Sequence, residues 1–161
     1  MQAPQPITSE HELSDFQSDN AELNDWLKEQ ALKSEGLSAR TYVLVTEGKV
    51  IGYYCLATAT VARTVAIGSV KRNSPDPIPC MLIGRLAVDL RWEKRGIGSG
   101  LLRDALLRIF NVAQVVGVKA VLVHAKDENA KSFYLKRGFQ ESPIESFTLM
   151  LPVKDIQANF K

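Results

Sequence analysis

Three closely spaced glycines at a strand-to-helix junction constrain this chain more than any other feature. They lie in Arg95-Gly96-Ile97-Gly98-Ser99-Gly100. The apolar run Met81-Leu82-Ile83-Gly84-Arg85-Leu86-Ala87-Val88 precedes them. Leu101, Leu102, Ala105, Leu106, Ile109 and Phe110 follow at helical spacing. The order reads as strand, glycine turn, helix. Residues without side chains leave backbone N–H groups bare at a helix N-terminus, where unpaired amides and the helix dipole favour an anion. The turn therefore predicts a site for a phosphorylated molecule.

Two common phosphate motifs do not fit. A dinucleotide fingerprint needs G-x-G-x-x-G, whereas Gly96, Gly98 and Gly100 give G-x-G-x-G. The triphosphate loop G-x-x-x-x-G-K-[ST] is absent from the sequence. A turn serving only geometry remains the plain alternative.

At 161 residues, one domain over 1–161 is expected. A hydrophobic share of 45% with 24% charged residues matches an ordinary globular protein, and the longest apolar run is far short of a membrane span. The N-terminal residues carry neither the basic nor the apolar segment of a secretory signal, so a cytoplasmic location and no membrane partner are expected. Cys55 and Cys80 sit in apolar company and read as buried free thiols. His11 and His124 are too few and too distant for a metal centre, so no metal is expected. The charge is uneven. Residues 1–36 carry eight acids and two bases, whereas residues 37–75 carry Arg40, Lys49, Arg63, Lys71 and Arg72 against Glu47 alone. Such asymmetry marks either a surface for a polyanion or an ordinary solvated face.

Asn20 or Asp19 can cap a helix reaching about Ser34 and stopped by Gly36. Residues 40–45 and 50–56 form a hairpin about Glu47-Gly48. Residues 61–70 read as a third, irregular strand. Residues 74–79 read as a loop because of their three prolines. Then come a strand over 81–88, a helix from about 98 to 117, a strand over 119–124, a helix over 127–137 closed by Gly138, and a strand over 147–151. The class is α/β (α+β), with a mixed, mostly antiparallel central sheet flanked by helices.

The segment Asp127-Glu128-Asn129-Ala130-Lys131-Ser132-Phe133-Tyr134-Leu135-Lys136-Arg137-Gly138-Phe139, taken with Arg95-x-x-Gly98-x-Gly100, resembles the GNAT superfamily of N-acetyltransferases. The resemblance covers about residues 40–151 and implies the GNAT fold. A narrower set is similar to the GNAT toxins of bacterial toxin–antitoxin pairs: Gly84-Arg85-Leu86-Ala87-Val88-Asp89, Phe16…Leu23-Asn24-Asp25-Trp26-Leu27, and Arg40-Thr41-Tyr42-Val43. Ser18 stands where that family often has a cysteine. The resemblance implies acetylation of the α-amine of aminoacyl-tRNA with acetyl-CoA as cosubstrate, translation inhibition, a ribbon-helix-helix antitoxin and a homodimer.

It also implies roles. Arg95, Gly96, Ile97, Gly98, Ser99 and Gly100 would hold the pyrophosphate of coenzyme A. Backbone N–H groups of Leu86, Ala87 and Val88 would polarise the thioester carbonyl. Asn129 and Phe133 would contact the cofactor; a helix cap is the plain reading of Asn129. Tyr134 would protonate the leaving thiolate as general acid, its plain reading being packing with Phe133 and Phe139. Arg40, Arg63, Lys71, Arg72, Arg85 and Arg91 are candidates for tRNA contact, and Arg85 equally for a salt bridge with an acid. Glu145 and Asp89 are candidate bases that nothing in the sequence places; His124, at the end of a strand, is a further candidate base, its plain reading being a hydrogen-bonded structural histidine. An α-amine has a pKa of about 7.7–8.0 against about 10.4 for lysine, so an α-amine acceptor depends less on a dedicated base. The alternatives are a GNAT enzyme acting on a small amine or a protein N-terminus, and a non-catalytic coenzyme A-binding regulatory module.

Overall fold

The computed structural model describes residues 2–160. In chain order the elements are β1 (Gln5–Pro6), α1 (Ala21–Glu29), α2 (Ala31–Ser34), β2 (Arg40–Thr46), β3 (Lys49–Val61), α3 (Gly68–Lys71), β4 (Ile78–Val88), α4 (Ile97–Val112), β5 (Ala120–His124), α5 (Glu128–Leu135), β6 (Gln140–Glu141) and β7 (Thr148–Pro152). The strands form one seven-stranded sheet in the order β1-β2-β3-β4-β5-β7-β6. The β1/β2, β2/β3, β5/β7 and β6/β7 ladders are antiparallel, and β4/β5 is parallel. This is the mixed, mostly antiparallel sheet the sequence predicts. Among the described residues no helix is long and apolar enough to cross a membrane.

The chain folds as two compact units, and β3, β4 and α4 contribute residues to both. The first unit comprises the residues up to Ala57 with Gly84–Ala105. Its core joins Phe16, Leu27, Ala31, Val43, Val50, Tyr53, Cys55 and Ala87. Side chains such as Phe16 and Leu27, buried to this degree, contribute about 1.5–3 kcal/mol each relative to exposure. Asn20 caps α1, accepting from Leu23 N–H at 3.1 Å. Ser18 is buried, and its N–H and hydroxyl both donate to Asn24 Oδ1 at 2.7 Å. The position often filled by cysteine is thus an anchor for the start of α1. Glu47 (φ 53°) and Gly48 (φ 78°) make the tight turn of the β2–β3 hairpin.

The second unit comprises Thr58–Ile83 and the residues from Leu106 onward. Its core joins Val61, Ala66, Ile67, Val70, Ile78, Cys80, Ala120, Leu122 and Met150. Cys55 and Cys80 are buried free thiols, as expected.

Several sequence-based boundaries are corrected. Residues 61–70 are not a strand: β3 ends at Val61, and Gly68–Lys71 is the short helix α3. The buried residues Ala66, Ile67 and Val70 follow helical spacing, not alternation. Ile78 and Pro79 belong to β4, not to the preceding loop. Pro79 still offers its carbonyl, which accepts from Lys119 N–H at 2.9 Å, and lies near the strand start where a missing donor disturbs little. The first helix is broken at Gln30 into α1 and α2. The long helix α4 ends at Val112, short of Gly117.

Candidate active site

In the first unit, the turn between β4 and α4 is fixed by a buried carboxylate. Asp89 Oδ2 accepts from Gln17 N–H (3.1 Å) and Arg91 Nη2 (3.0 Å), while Oδ1 accepts from Arg91 N–H and Nε, each at 2.9 Å. Asp89 N–H donates to Ile51 O, and Leu90 N–H to Gln17 O, both at 2.8 Å. Burial would push the Asp89 carboxyl up. The hydrogen bonds from Arg91 and the Gln17 amide outweigh it and hold the group below its ordinary value. A carboxylate so occupied makes a poor proton acceptor, which removes Asp89 from the candidate bases.

Past Trp92 the backbone enters left-handed geometry at Lys94 (φ 62°) and again at Gly96 (φ 78°). The second position favours glycine on conformation alone. A Cβ placed at Gly96 or Gly100 meets nothing within 4 Å, so the turn lies open to close approach. The first intrahelical bond runs from Gly100 N–H to Gly96 O at 3.0 Å. Gly100 N–H is therefore engaged, while the amides of Ile97 and Gly98 precede that bond at the helix N-terminus. Arg95 is exposed, its guanidinium 4.7 Å from the Trp92 ring centroid. The first-turn amides of the helix terminus and the exposed Arg95 guanidinium form a donor set suited to a pyrophosphate.

On β4, Leu86 and Val88 are half-buried and Ala87 is buried. The parallel ladder with β5 covers Cys80, Met81 and Leu82, and β4 continues to Val88. Arg85 lies 4.1 Å above the Trp26 ring, which is itself stacked on Tyr53 at 6.0 Å. Tyr53 donates to Leu23 O at 2.7 Å, and burial raises its phenol. Burial also pushes the Cys55 thiol up to about 11, so it is no nucleophile at neutral pH.

In the second unit, Asp127 caps α5 by accepting from Ala130 N–H at 2.8 Å. The capping role considered for Asn129 therefore belongs to Asp127; Asn129 is exposed in the first helical turn. Tyr134 is buried between Phe133 and Phe139, with ring centroids 5.2 and 5.3 Å away. Burial raises its phenol, so the hydroxyl keeps its proton at neutral pH. Arg137 lies 3.8 Å from the half-buried Phe133 ring. The packing reading of Tyr134 is thus met, and the group also stays protonated as a proton donor must.

The basic residues differ in how far they are engaged. Lys71 and Arg72 are exposed. Arg40 pairs with Glu35 at 3.6 Å and stays 63% exposed. Arg63 Nη1 donates to Lys71 O (2.7 Å) and Ser74 O (2.6 Å), closing the α3 loop. Arg91 is bound to Asp89 on one edge yet is 62% exposed. One group was missed as a unit: His124, Thr148 and Glu145 are joined by hydrogen bonds of 3.1 and 3.0 Å. The strand pairing that joins Thr148 to His124 is long-range and leaves no local mark in sequence.

The glycine turn, the strand before it and the capped aromatic helix occur in the order of one fold. Residues 38–141, more than half of the chain, match the acetyltransferase (GNAT) domain family, and the chain belongs to that family. It is 41% identical over 157 residues to the "tRNA-acetylating toxin" of Mycobacterium tuberculosis (strain ATCC 25618 / H37Rv), covering 97% of this chain and 95% of that one. Among solved structures it is similar to AtaT complexed with acetyl-methionyl-tRNAfMet (TM-score 0.89, 26% identity, 99% of both chains). It is also similar to AtaTR bound with AcCoA (TM-score 0.82, 26% identity, 99% of this chain and 98% of that one). A tyrosine-to-phenylalanine variant of AtaT bound to the C-terminus of the antitoxin AtaR matches with TM-score 0.84 at 25% identity, over 99% and 96% of the two chains.

Proposed function

We propose that this chain is a toxin that transfers the acetyl group of acetyl-CoA to the α-amine of aminoacyl-tRNA and so stops translation. The observation that carries the reading is the 41% identity, along 97% of the chain, to a tRNA-acetylating toxin. The AtaT complexes with acetylated tRNA and with AcCoA support the same acceptor and donor.

The amides of Gly96, Ile97, Gly98 and Ser99, with the Arg95 charge, hold the pyrophosphate of acetyl-CoA, and the open side of Gly100 admits it closely. Backbone N–H groups of Leu86, Ala87 and Val88 stabilise the oxyanion that forms on the thioester carbonyl. Asn129 and Phe133 contact the pantetheine arm. Tyr134 delivers its proton to the departing thiolate, a match of two groups with high pKa values. Exposed Lys71 and Arg72, with the free edges of Arg40, Arg63, Arg85 and Arg91, meet the tRNA backbone, whose phosphates dominate affinity. A ribbon-helix-helix antitoxin neutralises the enzyme, a homodimer is its working form and the cytoplasm its location; the AtaT complex with AtaR supports the antitoxin.

Expression in a bacterial host without an antitoxin tests the reading. Wild type arrests growth, and Tyr134→Ala relieves the arrest. Harmless wild type contradicts it.

A further inference from the structure

We propose that His124 is the general base for the acceptor amine, held in one tautomer by Thr148 and Glu145. The inference rests on the acetyl-transfer reading above.

His124 ends β5 and pairs with Thr148 of β7 directly across the ladder, so the two side chains share a face. Its Nδ1 lies 3.1 Å from Thr148 Oγ1, and that hydroxyl donates to Glu145 Oε2 at 3.0 Å. A threonine hydroxyl has one hydrogen, and a carboxylate only accepts. Once that hydrogen faces Glu145, the oxygen can only accept from the ring. Nδ1 therefore carries the proton, and the lone pair of the neutral ring is on Nε2.

The loop behind this relay is tightly built. Thr148 is 6% exposed, and its N–H donates to Glu145 O at 3.0 Å. Ser142 Oγ accepts from the N–H groups of Ile144 and Glu145, both at 3.2 Å, and donates to Val65 O at 2.6 Å. Ala125 N–H donates to Phe147 O at 2.8 Å. His124 itself is exposed. It lies two residues beyond the last β4–β5 rung, Leu82–Leu122. An exposed ring with one nitrogen fixed by a buried hydroxyl and a carboxylate is oriented to take protons at the other.

The balance is simple. The amine lone pair forms the C–N bond, and a proton leaves that nitrogen for His124 Nε2. The C–S bond breaks with its electron pair on sulfur, which takes the Tyr134 proton. Solvent then deprotonates the imidazolium and reprotonates the phenolate. Glu145 and Thr148 are positioning residues that never touch the substrate.

The test combines kinetics on charged tRNA with ring spectroscopy. His124→Ala lowers kcat about 10²-fold, at the low end for a lost general base, because an α-amine is already partly neutral. The KM for acetyl-CoA stays unchanged, and added imidazole restores turnover. Thr148→Val lowers kcat by a smaller factor and frees the tautomer. In the resting wild type, 15N NMR finds the His124 proton on Nδ1. Wild-type turnover in His124→Ala, a loss that imidazole does not restore, or a proton on Nε2 overturns the proposal. If wild type fails to acetylate charged tRNA, the acceptor reading fails, and the tautomer measurement still decides the relay by itself.

Discussion

At Asp89 a buried carboxylate organises the entrance to the glycine turn. Its folded value is depressed, so its contribution to stability is full above the ordinary value of 3.8 and fades as pH falls through the lower folded value. Asp89→Asn leaves donors facing an amide and costs about 1–3 kcal/mol at neutral pH. In denaturant melts the gap between variant and wild type narrows below pH 4; a gap independent of pH contradicts the assignment. Tyr134 was legible in sequence both as the tyrosine of a family motif and as an aromatic packed with Phe133 and Phe139, and that burial raises its phenol. Tyr134→Phe lowers turnover on the order of 10²–10⁴-fold while acetyl-CoA binding, read by calorimetry, holds. Arg95→Glu does the reverse, raising the KM for acetyl-CoA with kcat nearly kept. Asp89 and Arg91 lie two residues apart, yet the partner that completes their lock is the Gln17 amide, which no local pattern announces.

At the scale of elements, β3, β4 and α4 approach closely at Gly52. A Cβ on Gly52 would meet Leu101 Cδ1 at 3.1 Å, Ala87 O at 3.4 Å and Ile97 Cγ2 at 3.5 Å. Gly52→Val therefore presses on β4 and on the start of α4 together. It costs about 1–3 kcal/mol as overpacking and raises the KM for acetyl-CoA, both measurable in one purified variant. A variant with wild-type melting and KM shows that the neighbours yield freely. Helical spacing made α4 readable from sequence, and β-rich apolar runs made β2, β3 and β5 so, the first two joined by a Glu47-Gly48 turn. Segments ruled by tertiary partners were not. The 61–70 stretch looked like a strand through its β-branched residues, but packing of Ala66, Ile67 and Val70 against Met150 selects a helical turn. Val115 and Val116 continued an apparent helix, yet both are exposed past its end and bury nothing that would extend it.

Across the whole molecule, the basic residues and the donor turn together define the proposed reaction. If Lys71 and Arg72 meet phosphates, replacing both with glutamate weakens binding of all charged tRNAs alike and flattens its dependence on salt. A loss confined to one tRNA points to base reading instead. Neither sheet topology nor the donor turn specifies the acceptor; that part of the function was legible only through family resemblance in Arg40-Thr41-Tyr42-Val43 and Gly84-Arg85-Leu86-Ala87-Val88-Asp89. The most direct measurement follows radiolabelled acetyl groups from acetyl-CoA into a mixture of charged and uncharged tRNA. The account predicts label on charged tRNA alone, released as N-acetyl amino acid when the ester is hydrolysed. Label on uncharged tRNA, on protein lysines or on nothing contradicts it.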